Sequence, residues 1–278
     1  MFGDTKTLVW LASYPKSGNT WLRAFLANYM IDTDEPVSIN DMQKISFGDS
    51  ALEPIAAIAR RDPRTLPPQQ LAAAREANLE RIATDGAAAH FVKTHNAHIR
   101  VASHWLIPAR LTRQAVYLIR NPLDLVISYA DHWGLSFEAA AKQIGSTRNV
   151  IPANTRTVTQ FLGKWSDHVR GWARTRDFKV LVLRYEDLLD DPMTGFERIL
   201  RHIEVPIEPN VIEQAIRFSS FESLSSQEAA GGFREKSEPQ QRFFRKGTSG
   251  QWRDTLPQEV IERIIADHGP TMKHYKYL

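Results

Sequence analysis

No cysteine occurs among the 278 residues. That absence excludes disulfides, thiolate nucleophiles, Cys-ligated zinc and iron–sulfur clusters in one step, so structure and chemistry rest on oxygen and nitrogen groups. It also suits a reducing, cytoplasmic address. Charge of one sign is scarce as well: 35 Lys plus Arg stand against 32 Asp plus Glu, a formal net charge of +3. No apolar run approaches the length of a membrane span, and the start, Met1-Phe2-Gly3-Asp4, is acidic and unlike a signal peptide. Internal repeats and low-complexity tracts are missing too. What remains is a chain with 42% hydrophobic and 24% charged residues, globular in composition and long enough to bury a core without cross-links.

The small charge excess is concentrated. Between Arg234 and Arg253 stand Arg234, Lys236, Arg242, Arg245, Lys246 and Arg253 against Glu235 and Glu238, a local excess of 6 − 2 = +4. So short a basic stretch suits one compact polyanion rather than an extended nucleic-acid track.

Leu8 to Ala12 reads as a short buried strand, and apolar positions at helical spacing from Thr20 to Tyr29 follow a tight loop. The pattern recurs. Ala89 to Lys93, Ala115 to Ile119 and Val180 to Leu183 read as further strands, and Pro122, at a first helical position, opens a helix to about His132. Helices are expected over 51–60, 69–83, Thr157 to Arg176, Pro192 to His202, Pro209 to Ile216 and Pro257 to about His268; 32–50 reads as mixed and loop-rich, 134–156 is ambiguous between ordered structure and a substrate-side flap, and 225–250 is a long Gly-, Gln- and Ser-containing excursion. Strands alternating with helices imply an α/β fold over 1–278, one domain with a central, mostly parallel sheet flanked by helices and ligands bound at the strands' carboxyl ends.

The most informative segment is Tyr14-Pro15-Lys16-Ser17-Gly18-Asn19-Thr20-Trp21, set between strand and helix. A glycine there permits a tight turn, so that the helix's free amides, a lysine and two hydroxyls converge on an anion in a P-loop-like nucleotide-binding architecture. It is not a Walker A loop, whose lysine follows the second glycine, nor a dinucleotide fingerprint, which needs three glycines.

With this loop the chain resembles the nucleotide-dependent sulfotransferases of the cytosolic type, which use 3′-phosphoadenosine 5′-phosphosulfate (PAPS) as donor. "YPKSGNTWLR" is similar to their 5′-phosphosulfate loop, "LIRNPLDLVISY" to their 3′-phosphate strand and helix, and "RKGTSGQW" to their C-terminal phosphate loop, with "KTH" between the first two. The resemblance runs from Leu8 to Trp252 and implies a bacterial-like member acting on a small molecule. Carried over residue by residue, it implies that Lys16 contacts the phosphosulfate, that Ser17, Gly18, Asn19 and Thr20 bind the 5′-phosphate, and that Trp21 stacks on adenine. Arg120 and Ser128 would hold the 3′-phosphate with Arg245, Lys246 and Gly247, while Tyr185, Ser219 and Phe221 would complete the adenine site. Pro122 starts the helix close enough to the strand end for Arg120 and Ser128 to reach one anion.

Sulfuryl transfer to an alcohol or phenol needs a base, positive charge at the leaving phosphate and exclusion of water. His95 suits the first, since imidazole titrates near the operating pH; in the resembled family this histidine is the base and the neighbouring lysine, here Lys93, aids charge stabilisation. His98 and His104 are the competing histidines. Scattered histidines and the lack of a carboxylate cluster beside the loop support no metal site. Three departures from the family pattern stand out: Asn19 for a threonine, Asn96-Ala97 for Leu-Pro, and Asp254 to Glu262 without the Lys, Thr, Val and Glu of the family's dimer signature, which leaves monomer or homodimer open. A small-molecule kinase and an inactive nucleotide-binding protein of the same fold are the alternatives. The acceptor is expected among 32–60, 96–105, 130–156 and 225–244, against Phe47, Trp105, Tyr129, Trp133, Phe137 or Phe233, which favours a small organic hydroxyl compound.

Overall fold

A computed structural model describes residues 6–278; the acidic start Met1-Phe2-Gly3-Asp4 lies outside the described residues. Five strands, β1 (Leu8–Ser13), β2 (Ser46–Gly48), β3 (His90–Thr94), β4 (Thr112–Ile119) and β5 (Lys179–Arg184), form one sheet in the order β2-β3-β1-β4-β5. Every pairing is parallel. The helices are α1 (Asn19–Ile31), α2 (Leu52–Ala59), α3 (Pro68–Ala83), α4 (Pro122–Trp133), α5 (Phe137–Ile144), α6 (Trp165–Ala173), α7 (Tyr185–Asp190), α8 (Pro192–His202), α9 (Pro209–Phe218), α10 (Phe221–Gly231), α11 (Trp252–Thr255) and α12 (Gln258–His274).

Alternation along β1 divides the interior. Trp10 and Ala12 join a core with α4, α5, α6 and α12, whereas Val9 and Leu11 join the core built with α1, α8 and α9. A parallel strand buried on both faces needs apolar residues at both parities, which explains the continuous run Leu8 to Ala12. Because β1 sits between β3 and β4, the loops leaving all three strands open at the same sheet edge, where an α/β sheet binds ligands.

Four expectations need correction or completion. The long helix over Thr157 to Arg176 is confined to Trp165–Ala173; the aromatic spacing suggested a longer one, but Gly163 takes φ +64 and Gln160–Phe161 pairs antiparallel with Val150–Ile151. The 134–156 stretch contains α5, started by Ser136 Oγ accepting from the Ala139 amide at 3.2 Å. Residues 32–50 contribute the edge strand β2, and 225–250 begins inside α10. In addition α12 continues past His268 to His274 with Pro270 inside it. Among the described residues no helix is long and apolar enough to cross a membrane.

Candidate active site

The loop after β1 is shaped by two left-handed residues, Lys16 at φ +69 and Gly18 at φ +97. Only glycine fits at the second: a Cβ there would lie 2.6 Å from the Tyr185 ring. The amides opening α1 are left without a side-chain cap, and they direct the positive end of a 13-residue helix at the cavity. Lys16 Nζ, Ser17 Oγ and Arg120 Nε, with the acceptor Asn19 Oδ1, are buried and have no hydrogen-bond partner among the described residues. Buried polar groups are nearly always paired, so the two orphaned donors that line the cavity, Lys16 Nζ and Arg120 Nε, fit an anionic ligand such as a nucleotide phosphate.

Lys16 Nζ lies 3.8 Å from the centre of the Phe243 ring. Burial, with the Arg120 charge, pushes its pKa down from 10.5 to about 7, against the opposing pull of Asp131, Glu235 and Glu228. Arg120, immediately after β4, donates from Nη1 to the Lys16 carbonyl at 3.0 Å and from Nη2 to the Thr248 carbonyl at 3.3 Å, with its guanidinium 4.7 Å from the Tyr185 ring centre. It ties the first phosphate loop to the last. Asn121 caps α4 through the Leu123 amide, which starts the helix at Pro122 and leaves Ser128 on the cavity wall.

The late segment 232–251 is anchored at several points. Asp124 accepts from the amides of Gly250 (2.6 Å) and Trp252 (3.1 Å), and Glu228 from those of Phe243 (2.7 Å) and Phe244 (2.9 Å). Gln240 donates to Asp131 at 2.8 Å and meets His132 Nδ1 at 2.7 Å. Gly247, at φ +64, lies so close to Phe221 that a Cβ would approach its ring to 2.5 Å. Arg245 and Lys246 beside it are exposed and form no ion pair among the described residues.

A cavity of about 890 Å³ gathers all the expected nucleotide residues except Ser17, together with Lys93 and His95. Ser17 is fully buried behind the loop, away from the wall. Two others differ in detail. Both donors of the Asn19 amide are committed, to the Leu11 carbonyl (2.9 Å) and Ser13 Oγ (3.3 Å), so a phosphate would meet its backbone N–H, not its side chain. The Ser219 hydroxyl donates to the Ala215 carbonyl at 2.7 Å in the last turn of α9. Trp21 stands edge-on to Tyr185 (5.9 Å) and Phe196 (5.3 Å).

His95 follows β3. Its Nδ1 lies 2.9 Å from the Ser13 carbonyl and 3.3 Å from Ser13 Oγ. A carbonyl only accepts, so the ring proton resides on Nδ1 and Nε2 keeps its lone pair. Burial, reinforced by the Lys93 charge, holds the ring's pKa well below 6.5 and the imidazole neutral. Behind it His168, bonded to Tyr117 OH at 2.8 Å and to the His95 carbonyl at 3.1 Å, has its pKa lowered by burial to about 4. Burial lowers the Lys93 pKa too, with Glu235 acting in the opposite sense.

Asn96, in place of the family's leucine, is fully buried and belongs to no acceptor wall. Its amide donates to Asp49 at 2.8 Å and its Oδ1 accepts from the Phe161 amide at 2.8 Å, while Asp49 also receives Thr94 Oγ1 (2.8 Å) and the buried Arg75 (2.5 Å). His98 stacks on Trp105 at 4.9 Å and His104 bonds to Glu76 at 2.6 Å, both outside the cavity. Of the six aromatic candidates for the acceptor wall only Trp133 lines it. Tyr129, Phe137 and Phe233 pack into cores, Trp105 holds His98, and Phe47 is exposed.

Several lining residues were not anticipated. Glu235 pairs with Arg23 at 2.7 Å, and although burial works against it, the charges of Arg23 and Lys93 take its pKa down to about 2. His132, whose pKa burial and Lys16 lower to about 4, and Phe243, whose ring Lys16 overlies, complete the lining around Lys16. Phe243 stands two residues before Arg245 in the late loop, a signal the sequence did contain; the Arg23–Glu235 pair, 212 residues apart, left none.

Residues 6–276 match the sulfotransferase domain family. The chain belongs to that family. This sulfotransferase is 25% identical over 272 residues to sulfotransferase 1 family member D1 of Rattus norvegicus, covering 95% of this chain and 82% of the relative. It is 27% identical over 275 residues to flavonol 3-sulfotransferase of Flaveria bidentis, covering 92% and 78%. Among solved structures it is similar to retinol dehydratase in a complex with retinol and PAP, with TM-score 0.63 at 20% identity over 98% of this chain and 82% of that one, a likeness of fold. These relatives lend no support to the expected bacterial-like subclass. Among the described residues no three His, Asp or Glu side chains group as metal ligands would.

Proposed function

We propose that this sulfotransferase moves a sulfuryl group from PAPS to a hydroxyl of a small organic acceptor, in the cytoplasm, with His95 as base and Lys16 and Lys93 as the charge-stabilising groups. Sulfuryl transfer follows from the family, and the orphaned donors of the phosphate loop fit a donor with phosphates at both ends. The new bond joins the acceptor oxygen to sulfur, the bond from sulfur to the phosphate oxygen breaks, and its electron pair leaves with 3′-phosphoadenosine 5′-phosphate. The hydroxyl proton goes to Nε2 of His95.

One observation carries this assignment: a neutral imidazole whose accepting nitrogen has no hydrogen-bond partner among the described residues shares a cavity with a buried lysine that likewise has none among them. The Ser13 carbonyl holds the tautomer and stabilises the imidazolium that forms on proton transfer. Lys16 and Arg120 supply positive charge in a dry setting, where it acts strongly on a developing anion. A P-loop kinase would carry its lysine after the second of two glycines, whereas Lys16 precedes Gly18, the loop's one glycine.

Replacing His95 by alanine should lower kcat by about 10²–10⁴-fold, while calorimetry shows PAP bound as in the parent protein. Near-normal turnover would remove His95 from the mechanism.

A further inference from the structure

The wall facing the base is built from the strip Asn154 to Phe161. It is pinned on one side where the Leu52 amide donates to the Arg156 carbonyl (2.8 Å) and the Val158 amide to the Ser50 carbonyl (2.9 Å). On the other, Phe161 is clamped to the two residues after His95, its amide donating to Asn96 Oδ1 and its carbonyl accepting from the Ala97 amide, each at 2.8 Å. Gln160 is therefore held next to the base. It is only 5% exposed and lines the cavity, yet its side-chain amide has no partner among the described residues. The Thr157 hydroxyl in the same strip is buried and likewise without a partner among them. An unmet buried hydroxyl such as that of Thr157 carries a desolvation cost that a hydrogen-bonding ligand removes.

The same cavity is lined by Glu235, a carboxylate able to accept a hydroxyl proton, and by the one expected aromatic that reaches the wall, Trp133, with Tyr129 packed 4.0 Å behind it. A ring with an apolar C–H face and a rim of hydroxyls satisfies both kinds of surface. A plain phenol satisfies the aromatic one and leaves Gln160 and Thr157 unmet, and sites built to bond a hydroxyl discriminate against ligands that lack it.

We propose that the acceptor is a hydroxylated saturated ring, of the saccharide or cyclitol kind, seated on Trp133 with a hydroxyl bonded by Gln160 beside His95. This rests on the sulfotransferase assignment above and names its substrate class. The experiment compares labelled-sulfate transfer from PAPS to methyl glucoside, trehalose and myo-inositol with transfer to 4-nitrophenol and 2-naphthol, in the parent protein and in Gln160→Leu, with melting temperature and PAP binding as measures of folding. The expected result is higher kcat/KM for a hydroxylated ring in the parent protein and an about tenfold fall in the ring-to-phenol ratio in the variant, with restoration toward the parent ratio in Gln160→Asn. Turnover that favours phenols, or a ratio unmoved by Gln160→Leu in a folded, PAP-binding protein, overturns the ring assignment and leaves the sulfotransferase one standing. Absence of both PAP binding and transfer to every acceptor overturns the two together.

Discussion

At pH 8 a lysine with a pKa of about 7 is mostly neutral, yet an anion-binding loop needs Lys16 charged when a nucleotide binds. Binding of PAP should therefore take up about 0.9 proton at pH 8 and only about 0.1 at pH 6, with Kd rising about tenfold per pH unit above 7. Titration calorimetry in two buffers of different ionisation enthalpy reads the proton count directly. The nucleotide's own phosphate ionises near pH 6, so the informative quantity is the difference between parent and Lys16→Met, in which that contribution cancels. The same substitution should stabilise the free protein. Depression of the lysine pKa from 10.5 to about 7 means that the folded state holds its charge at a cost on the order of a few kcal/mol. That cost is complete below pH 7, where both states are protonated, and is relieved as pH rises toward 10.5. Lys16→Met should thus melt several degrees higher at pH 6, with a smaller gain at pH 9. Equal proton uptake in parent and variant at pH 8, or a lower melting temperature for the variant at pH 6, would refute the buried-charge account.

Two further substitutions test the scaffold. Gly247→Ala places a methyl group against the Phe221 ring at a left-handed backbone position, so PAP should bind at least about tenfold more weakly by calorimetry while the melting temperature moves little; tight binding would mean that the late loop does not hold the phosphate as described. Asp49→Ala leaves the buried Arg75 charge without its partner and should cost about 3–5 kcal/mol in urea unfolding, and a loss under about 1 kcal/mol would show the pair to be dispensable.

The donor half of the site was legible because its chemistry is local. Strand, glycine loop and helix N-terminus are contiguous from Leu8 to Tyr29, and Arg120 with Ser128 repeats the arrangement one strand away. The acceptor half was not legible in the same way. Helical spacing shows that Tyr129 and Phe137 belong to apolar faces, but not that those faces turn toward the α4–α5–α12 core instead of the cavity. Gln160 falls inside the helix expected over Thr157 to Arg176, since the aromatic series Phe161, Trp165 and Trp172 masked the short antiparallel pairing that Gly163 permits. The Asp49–Arg75 and Arg23–Glu235 pairs join residues 26 and 212 positions apart, distances at which sequence spacing carries no information.

Ser13 has a consequence beyond either ligand. Its hydroxyl receives the Asn19 amide from the Lys16 loop and lies 3.3 Å from His95, and its carbonyl lies 2.9 Å from the His95 ring, so the loop and the histidine are one mechanical unit. Changes at Asn19 and His95 should accordingly be non-additive in a thermodynamic cycle. The 154–161 strip, clamped to Asn96 and Ala97, and the 232–251 segment, joined to the Lys16 loop through Arg120, lean on that same unit, so a change in either should be felt at His95 or Lys16 as well.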